Sequence, residues 1–349
     1  MIFVTGGTGL VGSHLLYDLL RSGQHVRALK RKDSKLQNVE KVFSYYTSSS
    51  RQLFNQIEWV DADLLDVYSL LKVLDGVDHI YHCAAMVSFE PKHQQEMMYS
   101  NVEGTTNLVN AALTKNVKKF CHVSSIATIG REEHNPVITE SMYWKTSPDH
   151  SNYALSKYAA EREVWRASEE GLNVIIVNPS LIIGGGNWQQ SSSNMFSKAF
   201  KGIRFYTEGV NGFVDVRDVS ALMIKLMESD ISKQRFILNS ENVSFRQYFD
   251  LIHTAFGKPK SSIKAGKFLS GFAWRAEKVR YFLTGATPLI TKETARSAHK
   301  VSYFSNNKIL SVFPNYQFIS VEEAVKNTAK QYLKDLSPGY NISPTKVLV

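Results

Sequence analysis

A glycine-rich loop lies within the first twelve residues, directly after a short apolar segment and directly before a helical one. Residues 2–4 have the composition of a buried strand, and the sequence TGGTGLVG follows them at 5–12. Because glycine has no Cβ, such a loop lets the backbone approach a ligand closely, and the helix after it presents unpaired N–H groups. This order predicts a dinucleotide site at the first turn of a parallel sheet. The predicted contacts are Gly6, Thr8, Gly9, Leu10, Val11 and Gly12.

After this loop, apolar strand-like segments alternate with amphipathic helical segments over two thirds of the chain. Strands are predicted at 2–4, 26–29, 57–60, 79–83, 120–123 and 174–177, and helices at 11–22, 67–74, 93–115 and 153–170. Strands separated by helices form βαβ units, and uninterrupted apolar strands fit a sheet covered on both faces. The alternation predicts an α/β fold with a Rossmann-type doubly wound parallel sheet.

The pattern changes after residue 184. Segments 213–219 and 236–238 resemble late strands of the sheet, whereas 263–336 is mostly helical and rich in aromatic and basic residues. We therefore expect a dinucleotide-binding domain at 1–180, to which 213–240 returns. A smaller, mainly helical substrate lobe is expected at 181–212 and 241–349.

The composition excludes disordered, collagen-like and disulfide-stapled classes. Of 349 residues, 43% are hydrophobic and 21% charged, which is typical of a soluble globular protein. Cys83 and Cys121 lie in apolar runs, so we expect buried, reduced thiols in a cytoplasmic protein, and no metal site. No leader precedes the glycine loop, and the longest uncharged run, 171–197, contains Asn, Pro and Gly residues. Neither a signal peptide nor a membrane span is expected.

Positive charge is concentrated in one part of the chain. The net charge is +9, and residues 255–300 hold ten Lys and Arg against two Glu. No nucleic-acid motif accompanies them, so no nucleic-acid partner is expected. A predicted helix at 264–283 would place Phe268, Phe272, Ala276, Val279 and Phe282 on one face. Such a helix either packs on its own domain or lies on a membrane surface, which leaves peripheral membrane contact open.

The end of the second predicted strand selects the cofactor. An NAD site usually has a carboxylate there for the ribose 2′-hydroxyl, whereas this sequence has Lys30 and Arg31 and no acid before Asp33. Two cations would attract a 2′-phosphate. The sequence therefore favours NADP(H), with NAD(H) as the alternative.

A tyrosine and a lysine lie four residues apart in the predicted helix 153–170. Tyr153 and Lys157 share one face of that helix, and Ser124-Ser125 ends a strand at the edge of the sheet where ligands bind. A nearby cation favours the phenolate and lowers the pKa of a tyrosine. The spacing predicts proton transfer between Tyr153 and a substrate oxygen that a strand-end serine holds.

These motifs together resemble the extended short-chain dehydrogenase/reductase family, over roughly residues 1–240. The resemblance implies that Ser125, Tyr153 and Lys157 are catalytic and that Asn101 supports a water relay to Lys157. The strand end at 26–31 and the segment at 178–184 resemble the dihydroflavonol-reductase and 3β-hydroxysteroid-dehydrogenase branch. Further cofactor contacts that the resemblance implies are Lys30, Arg31, Asp63, Leu64, Cys83, Ala84, Ala85, Val123, Tyr153, Lys157, Pro179 and Ser180.

We expect hydride transfer between the nicotinamide and an apolar ketone, aldehyde or secondary alcohol. The predicted lobe is rich in aromatic residues, which suits an apolar substrate better than a nucleotide sugar. Two alternatives remain: a nucleotide-sugar epimerase with tightly bound NAD(P), and a non-catalytic relative that senses the cofactor or binds nucleic acid. A homodimer through the helices at 93–115 and 153–170 is possible.

Overall fold

A seven-stranded parallel sheet forms the centre of the computed structural model, which describes residues 1–132, 136–147, 150–284 and 291–337. The strand order is β11-β7-β5-β4-β1-β2-β3. The strands are β1 Ile2–Thr5, β2 Val26–Lys30, β3 Glu58–Asp61, β4 His79–His82, β5 Lys119–Val123, β6 Val137–Ile138, β7 Val174–Pro179, β8 Leu181–Ile183, β9 Phe205–Tyr206, β10 Val210–Asp215, β11 Gln234–Leu238, β12 Glu241–Ser244, β13 Ile263–Lys264 and β14 Tyr303–Phe304. The predicted Rossmann-type sheet is confirmed.

Helices cover both faces of this sheet. They are α1 Leu10–Arg21, α2 Gln37–Phe43, α3 Ser50–Phe54, α4 Val67–Val73, α5 Gln94–Met98, α6 Gly104–Thr114, α7 Asn152–Glu169, α8 Asn194–Phe200, α9 Val216–Glu228, α10 Phe245–Ala255, α11 Lys267–Thr284, α12 Lys292–Ser297, α13 Asn307–Val312 and α14 Val321–Leu336. One core cluster joins α1 and α9 to the sheet, and a second joins α4, α6 and α7 to the opposite face. Because both faces are buried, strands such as β7 consist of apolar residues with little alternation.

The predicted helix at 93–115 is not continuous. A 3₁₀ turn at Pro91–His93 leads into α5, and a π-helical turn at Tyr99–Glu103 separates α5 from α6. Such turns interrupt an α-helix with an extra residue and often occur at functional sites. Here the turn contains Asn101, whose side chain is buried.

The predicted strand at 213–219 is wrong in its extent and its sheet. The Asp215 carboxylate accepts a hydrogen bond from the Arg217 N–H and caps α9, so the chain becomes helical at Val216. The strand β10 that ends at Asp215 pairs with β8 and β12 in a separate three-stranded sheet. In contrast, β11 is the seventh strand of the central sheet, as expected for 236–238.

The C-terminal part is a smaller, mainly helical lobe, as predicted. Its core contains Trp188, Phe196 and Phe200, packed with aromatic side chains of α10 and α14. These three aromatic side chains therefore stabilise the lobe. Residues 285–290 and 338–349 of the predicted lobe lie outside the described residues.

Candidate active site

The turn after β1 is built from glycines that no larger residue could replace. Gly6 has a φ of +69°, and a Cβ added there would lie 2.5 Å from the Ala84 nitrogen. A Cβ at Gly12 would lie 2.2 Å from the Gly6 carbonyl oxygen. Gly9 caps α1, and within the described chain no side chain bonds the first N–H groups of that helix. The loop therefore offers backbone donors that fit a pyrophosphate.

The predicted contacts within this loop differ in what they face. Thr8, Gly9 and Leu10 line a small cavity with Gly186 and Gln190, so these loop residues border open space. The Val11 side chain instead packs against the core cluster beneath β1. Val11 can therefore contact a ligand only through its backbone.

The two cations after β2 have different environments. Lys30 Nζ lies 2.5 Å from a carboxylate oxygen of Asp61, at the end of the neighbouring strand β3. The Arg31 side chain is exposed, and no ion pair involves it among the described residues. The Arg31 guanidinium is therefore available to bind a phosphate, whereas the Lys30 ammonium is already paired with Asp61.

Asp63 and Leu64 follow β3. The exposed Asp63 carboxylate accepts a hydrogen bond from the Leu65 N–H at 2.9 Å, which fixes its orientation. Leu64 packs against Gly104 at the start of α6. The side-chain amide of Asn107 donates a hydrogen bond to the Leu64 carbonyl oxygen. Both residues lie at the edge expected for a nucleoside, with the Asp63 carboxylate open to solvent.

The segment 83–85 continues β4 beside the glycine loop. The Cys83 N–H donates to the Thr5 carbonyl oxygen, and the Ala84 N–H donates to the Thr5 hydroxyl. Ala85 is exposed and Cys83 half-buried, and burial raises the pKa of the Cys83 thiol to about 12. The thiol is therefore protonated at neutral pH. This segment presents its backbone next to Gly6, as the resemblance implies.

The predicted serine and tyrosine are brought together. Ser125 follows β5, and its hydroxyl is near enough to the phenol of Tyr153, in the first turn of α7, to affect the pKa of that phenol. The Phe89 ring lies edge-on to Tyr153, with ring centres 5.8 Å apart. Burial raises the pKa of Tyr153, and the nearby Ser125 hydroxyl opposes that shift. The sequence predicted a lowered pKa, which is wrong here because desolvation outweighs the favourable interactions.

Lys157 lies one turn after Tyr153 and is almost fully buried. Its ammonium donates a 2.8 Å hydrogen bond to the carbonyl oxygen of Val123, the last residue of β5. Burial lowers the pKa of Lys157 to about 8, with Glu161 opposing the shift. Lys157 therefore loses its charge just above neutral pH.

Asn101 does not contact Lys157 through its side chain. Its amide oxygen accepts from the Met86 N–H at 2.7 Å, and its amide nitrogen donates to the Met86 carbonyl at 3.0 Å and to Ser156 at 3.1 Å. Asn101 thus joins the segment after β4 to α7. A water relay from Asn101 to Lys157, as predicted, would therefore have to use atoms of Asn101 other than its side-chain amide.

Pro179 and Ser180 lie at the carboxyl end of β7, next to β5. Ser180 is buried, and its hydroxyl has no hydrogen-bond partner among the described residues. Buried hydroxyls are usually paired, so this hydroxyl is a candidate contact for a ligand at the carboxyl end of β7.

A buried carboxylate that the sequence analysis missed lies one turn beyond Tyr153 and Lys157 on α7. Glu161 accepts hydrogen bonds from Ser124 at 2.5 Å, Thr128 at 2.7 Å and Asn178 at 3.0 Å. Its second oxygen lies 3.3 Å from the Arg235 guanidinium. The signal was the repeated spacing of four from Tyr153 to Lys157 to Glu161, which puts all three on one face of α7.

Two buried histidines were also missed. His82 bridges Thr5 and Thr105 through its two ring nitrogens, at 2.7 and 3.0 Å. His122 packs against it with ring centres 5.2 Å apart. Burial and the nearby Lys157 lower the pKa of His82 to about 3 and that of His122 well below its usual value. Both rings are therefore neutral, and Lys157 is the cation of this site.

The turn after β1 and the hydroxyl-and-lysine set between β5 and α7 define the class: an NAD(P)-dependent oxidoreductase of the short-chain dehydrogenase/reductase type. The sequence profile of the NAD dependent epimerase/dehydratase family matches residues 2–238. The chain belongs to that family.

Similar proteins lie in the predicted branch. The chain is 30% identical to the "Putative dihydroflavonol 4-reductase" of Synechocystis sp., over 88% of this chain and 87% of that protein. It is 28% identical to "Sterol demethylase protein B" of Methylococcus capsulatus, over 84% and 86% of the two chains. The Synechocystis relative confirms the resemblance to reductases of the dihydroflavonol-reductase type.

Solved structures share the fold over nearly the whole chain. The crystal structure of gox2253 aligns with a TM-score of 0.78 and 28% identity, over 97% of this chain and 99% of that one. UDP-glucose 4-epimerase from Thermotoga maritima aligns with a TM-score of 0.73 and 18% identity, over 96% and 99%. At that identity the epimerase shares the fold alone.

Two further features are absent from the described residues. No group of three or more His, Cys, Asp or Glu is placed to hold a metal ion. No described helix is long and apolar enough to cross a membrane.

Proposed function

We propose that the chain is an NADP(H)-dependent reductase of apolar ketones or aldehydes, or a dehydrogenase of the matching alcohols. The observation that carries the proposal is the placement of Ser125, after β5, beside Tyr153 on α7, one turn before the buried Lys157. The nicotinamide, when bound, would supply or accept the hydride. The remaining chemistry is the movement of one proton and the stabilisation of one oxygen.

Tyr153 and Ser125 share that chemistry in our proposal. In the reducing direction, Tyr153 donates its proton to the carbonyl oxygen as that oxygen gains negative charge. Its raised pKa keeps the phenol protonated before the reaction. Ser125 donates a hydrogen bond to the same oxygen. Lys157, as a cation, holds the ribose beside the nicotinamide and favours the phenolate once Tyr153 has lost its proton.

The cofactor preference is assigned to Arg31. An exposed guanidinium can bind a 2′-phosphate with two parallel hydrogen bonds, whereas Lys30 is already paired with Asp61. We assign the pyrophosphate to the loop 5–12, the adenosine edge to Asp63 and Leu64, and the nicotinamide edge to Cys83–Ala85, Val123, Pro179 and Ser180.

The apolar substrate class is supported by the surroundings of Tyr153. Val87 and Phe89 are exposed on the segment between β4 and α5, and Phe89 contacts the catalytic ring. The relatives named for dihydroflavonol and sterol chemistry support the same class. The predicted division into 1–180 with 213–240, and 181–212 with 241–349, would place this substrate between the two parts.

Absorbance of NADPH during turnover tests the function. We expect the purified protein to consume NADPH in the presence of an apolar ketone or aldehyde, and the Tyr153→Phe variant to lose at least about a hundredfold in kcat. The variant should bind NADPH as tightly as the wild type. UDP-sugars should give neither NADPH loss nor a new epimer, and an epimer from the wild type would refute the proposal.

A further inference from the structure

The helix α11 presents an apolar face to solvent. Phe268 is 92% exposed, Phe282 87%, Phe272 67% and Val279 59%. Their spacing of four, seven and three residues places all of them on one side of the helix. An amphipathic helix that packs on its own domain buries this side and exposes its charges. In α11 the apolar stripe formed by these four residues points outward instead.

Basic residues accompany the apolar stripe. Between Lys267 and Thr284 the chain has four Lys or Arg and a single acid, Glu277. Arg275 lies within the stripe, and its guanidinium stacks on the neighbouring Trp274 at 4.5 Å. Lys267 and Lys278 are exposed at one flank. The surface is therefore both apolar and positively charged.

We propose that this surface docks on an anionic lipid bilayer. Aromatic side chains enter the boundary between headgroups and acyl chains, while lysines and arginines beside them attract anionic headgroups. A second copy of the chain fits less well, because a symmetric contact through α11 would bring two basic surfaces together. Charge complementarity therefore favours a membrane over a dimer.

The inner side of α11 leads to the catalytic site, so the inference rests on the proposed function and deepens it. The Lys92 ammonium lies 5.3 Å from the ring centre of Tyr281 on α11. Lys92 belongs to the segment that also holds Phe89, whose ring contacts Tyr153. A substrate dissolved in the bilayer would enter beside α11 and pass Phe89 to reach Tyr153. The substrate class is thus a lipid-soluble ketone or alcohol.

The docking is tested by co-sedimentation of the full chain with vesicles. Vesicles of phosphatidylcholine alone are compared with vesicles that also contain phosphatidylglycerol, at low and high salt. We expect binding to the anionic vesicles only, and its loss at high salt. The triple variant Phe268→Ser/Phe272→Ser/Phe282→Ser should weaken this binding at least about tenfold.

A matched variant controls for the loss of exposed aromatics in general. Tyr68 and Tyr143 are each 82% exposed and lie outside α11. Their double replacement by serine should leave vesicle binding unchanged. Vesicle binding that the α11 triple variant retains, or no binding of the wild type at low salt, would overturn the proposal.

Two further measurements separate the outcomes. The triple variant should keep wild-type NADPH binding and turnover of a small water-soluble ketone, which distinguishes a docking defect from a failure of the proposed function. A Phe268→Trp variant should show quenching by brominated anionic lipid, which requires insertion. A wild-type dimer that the triple variant converts to monomers would instead assign the stripe to a second copy and refute membrane docking.

Discussion

Ser124 donates a 2.5 Å hydrogen bond to Glu161, so the serine next to Ser125 is tied to the carboxylate one turn after Lys157. Thr128 and Asn178 bond the same oxygen, and Arg235 approaches the other. Glu161 therefore joins the ends of β5 and β7 to β11 and α7, on the same face of α7 as Tyr153 and Lys157. We expect Glu161 to position Ser125 and Lys157 and not to take part in the chemistry itself.

Replacing Glu161 with glutamine tests this positioning role. The neutral amide accepts these hydrogen bonds more weakly and leaves Arg235 without its anion, so we expect a loss of about 3 kcal/mol in the free energy of unfolding. Because Glu161 opposes the lowering of the Lys157 pKa, the alkaline limb of the pH–rate profile should also move to lower pH. Urea unfolding and kcat against pH measure the two effects.

Glu163→Gln on the same helix is the matched control. Glu163 is partly exposed and pairs with Arg166 three residues on, so its loss should cost less than about 1 kcal/mol. A Glu161→Gln variant that unfolds like the wild type and keeps its pH profile would contradict the positioning role.

The sequence predicted this site well where local order decides the geometry. The glycine loop, the strand-end Ser125 and the Tyr153–Lys157 spacing each depend on a strand end or a helical turn, and the structure brings them to one edge of the sheet. Glu161 was missed because its partners come from three strands far apart in the sequence.

The degree to which side chains are buried is the second property that the sequence did not predict. The sequence indicates which groups are charged, but it does not measure how completely they lose water, so it gave the wrong direction for the pKa of Tyr153. For the same reason the sequence does not show which aromatic residues of the lobe are buried, whereas the structure places Trp188 and Phe196 in its core. Solvent exposure emerges only from the packing of the whole chain.

The Arg31→Ala variant tests the cofactor assignment. Removal of a charge-assisted contact to the 2′-phosphate should cost about 1.4 kcal/mol, which is roughly a tenfold increase in the KM for NADPH. The KM for NADH should not change, because that cofactor has no 2′-phosphate. Initial rates with both cofactors at a fixed ketone concentration measure the difference.

Lys201→Ala is the control for a general loss of positive charge, because Lys201 is an exposed residue after α8. It should leave both values of KM unchanged. An equal effect of Arg31→Ala on NADPH and NADH would show that Arg31 does not read the phosphate.

Because burial lowers the pKa of Lys157, we expect cofactor binding to depend on pH. The Lys157 pKa, lowered by burial to about 8, means that the ammonium is present below this pH and is lost as the pH rises through it. If the ribose is held by the cation, the Kd for NADPH should rise above pH 8 by up to about tenfold per pH unit. Fluorescence titration from pH 6 to 10 would follow this change.

The Lys157→Met variant provides the comparison. It has no titrating group at this position, so its NADPH affinity should be weaker at pH 7 and independent of pH between 7 and 9. If the variant keeps the wild-type pH step, another group is responsible and the assignment of Lys157 to the ribose is wrong.

Gly12→Ala tests whether the loop after β1 depends on the close approach of its own backbone. The added Cβ would lie 2.2 Å from the Gly6 carbonyl oxygen, and backbone atoms cannot yield as a flexible side chain can. We expect a loss of about 2 kcal/mol in the free energy of unfolding and a displaced loop with at least about tenfold weaker NADPH binding. Gly266→Ala is the control, because a Cβ there meets no atom within 4 Å. Calorimetry and NADPH titration should therefore show lower stability and weaker NADPH binding for Gly12→Ala but not for Gly266→Ala. A Gly12→Ala protein that binds NADPH with wild-type affinity would mean that the pyrophosphate does not lie on this loop.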